Sequence, residues 1–148
     1  MKAPETYAEW NMMLKSLREG GVREDILQAL SAGKLEWQDG VAQRFAQQLS
    51  DTINTIINKA NDVFSRQMQQ PNGGEGAAVQ GLLHLRRELG IAQRLASLPV
   101  LPEDVRQDYQ KMVQEQADRM QQSLEDSARK SDRSGKLLSI VRNHRVNA

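Results

Sequence analysis

"VAQRFAQQLSDTINTIINKANDVFSRQMQQ", residues 41–70, holds neither proline nor glycine over thirty positions. Its apolar residues return at every third or fourth place. Ala46, Ile53 and Ala60 form one seam, Leu49, Ile56 and Val63 a second, and Phe45, Ile57 and Phe64 flank them. That spacing brings side chains back to one side of an α-helix, whereas a strand needs alternation with a period of two. The stretch predicts a single amphipathic helix with a heptad, coiled-coil-like pattern, about 45 Å long at 1.5 Å per residue. Such a helix buries its seam only against other elements, and the flanking sequence supplies more helices.

"PNGGEG", residues 71–76, breaks the chain, because proline lacks an amide donor and paired glycines admit backbone angles foreign to a helix. A second long helix is predicted over about 77–98, with Ala78, Leu82, Leu85, Leu89, Ala92 and Ala96 in one stripe and Leu83, Ile91 and Leu98 off it. Apolar residues on more than one side mark a central helix. "LPVLPED" ends it and starts a third over about 102–131, where Pro102 suits a first position and Glu103 and Asp104 suit the first turn. This third helix has a thin stripe of Val105, Tyr109, Met112, Val113, Met120 and Leu124 among many of the chain's 16 glutamines. Upstream, Tyr7, Trp10, Leu14 and Leu17 predict a short helix closed by "EGG" at 19–21, and Val22 to about Gly33 a second. Short connections make successive helices antiparallel. The expected fold is all-α: a bundle of three long helices (about 41–70, 77–98 and 102–131), with two short N-terminal helices laid across one end. Trp37, in "KLEWQDG", is expected to cap the bundle.

Composition narrows the function classes. At 148 residues, one domain with a self-sufficient core is expected. Cysteine is absent, which excludes disulfides, thiolate metal sites and a cysteine nucleophile. Pro4, Glu5 and Glu9 interrupt the start where a signal peptide needs an apolar run, and no run approaches the ~20 residues of a membrane span. A cytoplasmic protein without membrane attachment is expected. His84 and His144, the two histidines, lack the spacing of helical metal sites, and His84 reads as a half-buried residue at a packing boundary. "NGGEG" lacks the lysine and hydroxyl of a phosphate loop. The acids of 103–118 lie beside Arg106, Lys111 and Arg119 as ordinary surface pairs. No catalytic, cofactor or metal residue is indicated, so the chain reads as a non-enzyme. A helix-turn-helix over 23–45 fits poorly, because Gly33–Gly40 is longer than the usual turn and only Arg44 falls early on the second helix.

Charge is unevenly placed. Residues 1–128 carry 14 basic and 18 acidic groups, whereas residues 129–148 carry six and one. The chain therefore divides into a bundle, 1–130, and a basic C-terminal tail or short helix, 131–148. Three roles for this tail follow from its residues. Leu137, Leu138, Ile140 and Val141 could fold back on the bundle, or dock on a partner protein. Arg129, Lys130, Arg133, Lys136, Arg142 and Arg145 could contact phosphates, although no aromatic side chain interleaves with them to stack bases.

The function expected is a non-enzymatic protein-interaction module (an adaptor, chaperone or regulator) acting through a long helix face and the C-terminal segment. The alternative is a nucleic-acid-associated accessory protein contacting phosphates through the tail. Unequal helix lengths add a further expectation. Thirty-residue helices overhang the 22-residue one between them, and an uncovered seam favours a second copy, so a homodimer is expected.

Overall fold

The structure, a computed structural model, describes the chain except residues 21–22, 37–39, 69–73, 132–134 and 147–148, and except the side chains of 67–68, 74–75, 77, 127, 130–131 and 136–137. Trp37 therefore lies outside the described residues. Among the described residues six helices follow one another: α1 Tyr7–Arg18, α2 Arg23–Ser31, α3 Val41–Met68, α4 Gly74–Ala96, α5 Glu103–Ser131 and α6 Lys136–Asn143. No strand occurs among the described residues. The fold is all-α, and its three long helices are the ones expected.

α4 is the central element, in contact with α3, α5 and α6. Its stripe is buried as read: Ala78, Leu82, Leu85, Leu89, Ala92 and Ala96 are all at or near zero exposure, joined by Leu95 and Ile91. Leu83 is the exception and stands partly in solvent. α4 stops at Ala96, short of the expected 98, because Leu98 precedes Pro99, whose ring disfavours helical angles in the residue before it. Leu98 and Leu101 turn inward all the same and plug that end of the core.

On α3, Phe45, Leu49, Ile53, Ile56, Ile57, Ala60 and Phe64 are buried, while Ala46 and Val63 are only half-buried. The face is thus turned slightly from a symmetric two-seam pattern. α1 lies along the flank of α3 rather than across the end of the bundle. The Trp10 ring meets Phe45 edge-on at 5.2 Å between centroids, Arg18 donates to Gln48 Oε1 at 3.2 Å and Thr52 Oγ1 at 2.8 Å, and Lys59 Nζ donates to the Arg18 carbonyl at 2.6 Å. Both helices therefore run in one direction side by side. Thr6 caps α1, its hydroxyl accepting from the Glu9 amide at 3.2 Å. Trp10 Nε1 donates to the Lys34 carbonyl at 2.8 Å, and an added Cβ at Gly33 would fall 2.8 Å from Trp10 Cη2 and 2.9 Å from Pro4 Cγ. Only glycine lets the chain after α2 pass that close to the indole.

The uncovered seam expected from unequal helix lengths is not found among the described residues. α1 covers the outer part of α3, and α6 packs on both α4 and α5. On α5 the buried line is Val113, Ala117, Gln121 and Ala128, with Tyr109, Met112, Met120 and Leu124 half-buried beside it. Tyr109 reaches α3, its hydroxyl donating to the Ala46 carbonyl at 3.1 Å.

Two outcomes test this core. Ile53→Ala and Ile56→Ala should each lower stability by about 2–5 kcal/mol in chemical denaturation, as expected for fully buried branched side chains; a change near zero at both would exclude this face from the core. Burial pushes the Tyr109 hydroxyl above its ordinary value of 10.0. The folded state therefore holds this proton more tightly than the unfolded chain does. Its contribution is complete below pH 10 and disappears as pH climbs through the raised value. Tyr109→Phe should flatten the alkaline fall of stability measured as pH rises above 10.

Candidate functional site

Two places combine polar chemistry with the core, and the first is the C-terminal segment. Val141 is buried, and Leu138 and Ile140 are half-buried against the core. Leu137 belongs to α6, but its side chain lies outside the described residues. Gly135, with φ of 78°, sits in the left-handed region just before α6 and lets the chain reverse there.

Gln121 holds this segment. Its side chain is almost completely buried; Nε2 donates to the Val141 carbonyl at 3.3 Å, and Oε1 accepts from the Val146 amide at 2.8 Å. The Val141 carbonyl belongs to the last turn of α6, where helical carbonyls have no partner within the helix. One primary amide thus satisfies a carbonyl at the end of α6 and an amide three residues past it, in a place water cannot reach. Val146, fully buried, fills the space beside it. Outside, Arg142 Nε donates to Glu125 Oε1 at 3.1 Å.

Of the basic side chains read as phosphate contacts, Arg129, Arg142 and Arg145 are described, and two of these three have a carboxylate beside them. Arg142 is taken by Glu125, Arg129 lies 3.8 Å from Asp126, and Arg145 is exposed. The side chains of Lys130 and Lys136, and all of Arg133, lie outside the described residues. Gln121 and Val146 carry no mark in the sequence except periodicity. Val113, Ala117 and Gln121 recur at four-residue spacing, and a stripe read through alanine and glutamine, not through methionine, would have found the amide.

The second place is a cleft of about 540 Å³ between α2 and α4. Leu27 and Ile91, both buried, form its floor. Two ion pairs tie its walls. Arg23 of α2 pairs with Glu88 of α4, whose carboxylate is buried and takes its hydrogen bonds from that guanidinium. Arg94 of α4 donates to both oxygens of Glu24 on α2, at 3.0 and 3.3 Å, and this hydrogen-bonded guanidinium holds the Glu24 carboxyl below its usual range. His84, half-buried as expected for a packing boundary, lines the same cleft.

The outer face of α4 continues the cleft into solvent. Leu83, Arg87, Gly90 and Arg94 follow at helical spacing, with Arg86 beside them. Leu83 is 38% exposed, one of three large apolar side chains exposed among the described residues. Arg86 and Arg87 are exposed and make no ion pair with any described residue. Gly90 sits in the helix interior, where glycine costs about 0.5–1 kcal/mol relative to alanine, yet an added Cβ there would meet nothing within 4 Å. No close approach among the described residues requires glycine here.

Groups of acids and histidines able to hold a metal ion are absent among the described residues. Among the described residues, no helix is long and apolar enough to cross a membrane. Comparison of the chain with models of known protein families, with curated proteins and with solved structures finds no match.

The Gln121 clamp gives a specific outcome. Gln121→Leu keeps the bulk but leaves the Val141 carbonyl and Val146 amide unpaired, which costs about 1–3 kcal/mol. Amide hydrogen exchange over 136–146 should then accelerate by tenfold or more while α3 and α4 stay protected. Uniform loss of protection would show instead that the segment and the bundle unfold as one.

Proposed function

We propose that this protein is a non-enzymatic interaction module whose working surface is the outer face of α4 where it borders α2. The observation that carries this reading is Leu83: a large apolar side chain held in solvent next to Arg86 and Arg87, which pair with no described acid, one turn from an open cleft with an apolar floor. An exposed apolar residue within a polar rim is the composition of an interface centre. Adaptor, chaperone and regulator all remain expressions of this one property, and a reducing cytoplasmic setting is proposed from the absence of cysteine.

The tail plays a supporting part in this reading. Leu138, Ile140 and Val141, three of the four apolar docking candidates, are already seated on the bundle, which favours a structural role for them over capture of a partner. The phosphate-contacting alternative has less support, because Arg142 and Arg129 have carboxylates at hand. Self-association loses its original basis with the seam covered, so the partner proposed is a different protein.

A photo-crosslinking residue placed at position 83 in the native host tests the reading. A discrete protein adduct is expected there, lost when Arg87→Glu is added and absent when the probe stands at Asn54, an exposed position on α3. Adducts to nucleic acid, or equal labelling at both positions, would overturn it.

A further inference from the structure

We propose that the partner docks as an acidic amphipathic helix, laid along the outer face of α4 with apolar residues on Leu83 and the mouth of the cleft and carboxylates on Arg86 and Arg87. This inference rests on the interaction-module reading and names the chemistry of the partner.

Charge complementarity selects the acid. On the described part of α4, the acidic side chain is Glu88, and it is buried and consumed by Arg23. Glu24, the other acid at the cleft, is consumed by Arg94. The cations that no described acid pairs are Arg86 and Arg87, three and four residues after Leu83. A carboxylate arriving there meets guanidinium groups whose planar donors match it and which no described acid already occupies. The apolar component sets this surface apart from a phosphate-binding one. Leu83, one turn before Arg87 of the cleft wall, and Leu27 and Ile91 in its floor have no function against a phosphate backbone, and no described aromatic ring lines the cleft to stack a base.

Gly90 selects the helix. It lies between Leu83 and Arg87 on one side and Arg94 on the other, and leaves a dip in the middle of the face. A helix carries its side chains about a cylinder and reaches close packing where the facing helix presents a small residue. The site also lies between two helices, with no strand edge among the described residues to which an extended peptide could add.

The probe is a designed fluorescent peptide of about 20 residues, long enough to form a helix, with leucines at i, i+3, i+4 and i+7 and glutamates on the flanks. It is titrated by anisotropy against the full chain at physiological salt, beside a scrambled peptide of identical composition and a single-stranded oligo-dT of equal charge. Binding of the patterned peptide is expected, weaker by about tenfold in the Arg86→Glu, Arg87→Glu double variant, since each exposed pair is worth at most a few-fold. A peptide with lysine in place of glutamate should bind that double variant in preference to the native chain. Gly90→Ala separates binding from folding: it should raise Tm by about 2 °C through helix propensity while weakening the peptide severalfold. Equal binding of the scrambled peptide would reduce the surface to unspecific charge and overturn the proposal. Tighter binding of oligo-dT, lost in the double variant, would overturn it in favour of nucleic acid. Gly90→Ala that tightens binding would overturn the helix geometry. If no peptide binds while position 83 still yields a protein adduct, the acidic-helix inference falls and the interaction module stands. If neither is seen, both fall.

Discussion

α4 carries more apolar surface than one neighbour can cover, and the rest of the molecule is arranged to meet that demand. Leu82, Leu85, Leu89, Leu95 and the alanines at 92 and 96 are buried around much of its circumference. α3 takes one side, and α5 and α6 take another. The alanines matter as much as the leucines, because a small residue lets a neighbouring backbone approach and brings dispersion contacts with it. One strip of α4 escapes. It runs through Leu83, Arg87, Gly90 and Arg94, and the short α2 reaches toward it with the charged side chains Arg23 and Glu24 above the buried Leu27.

The same demand explains why the last turn of the chain belongs to the core. A thin α5 stripe leaves one flank of α4 without enough side chains to exclude water. α6 and the residues after it supply them, with Val141 of the helix and Val146 beyond it directed inward. Bringing a helix end into the interior leaves backbone groups that water can no longer satisfy, and Gln121 is the answer to that difficulty. An aliphatic residue at 121 would pack equally well and leave two polar atoms without partners. The buried amide therefore fixes where the segment lies, in addition to how firmly it is held.

How much of this could be read beforehand divides along a physical line. The long helices were legible because their apolar residues repeat at helical spacing and Pro71, Gly73, Gly74, Pro99 and Pro102 punctuate the chain between them. The centrality of α4 was legible from apolar residues on two sides. The burial of Val141 was one of three open readings, because a strongly basic segment that also carries Leu137, Leu138, Ile140, Val141 and Val146 satisfies a solvent-facing and a folded-back arrangement equally well by composition. Gln121 was not legible, since glutamine at that spacing is common on solvent faces, and only the approach of α6 turns it inward. The α2–α4 cleft was not legible either. Arg23 and Glu88 lie 65 residues apart, and no local pattern brings them together.

The contrast between the two flanks of α4 bears on where the molecule can yield. Toward α3 the joint is apolar and continuous, so opening it would expose fully buried leucines and isoleucines, and such openings approach the cost of global unfolding. Toward α2 the joint relies on Arg23–Glu88 and on the largely exposed Arg94–Glu24 pair, over a narrow floor of Leu27 and Ile91. Exposed pairs of this kind contribute little each and exchange partners at low cost. A ligand carboxylate that competes for Arg94 loses little, because Glu24 returns to water when displaced, whereas displacing Glu88 would strand a buried charge. The outer pair is thus the adjustable one and the inner pair the fixed one. A surface built this way can change shape near Arg94 while its position on the bundle stays anchored at Glu88.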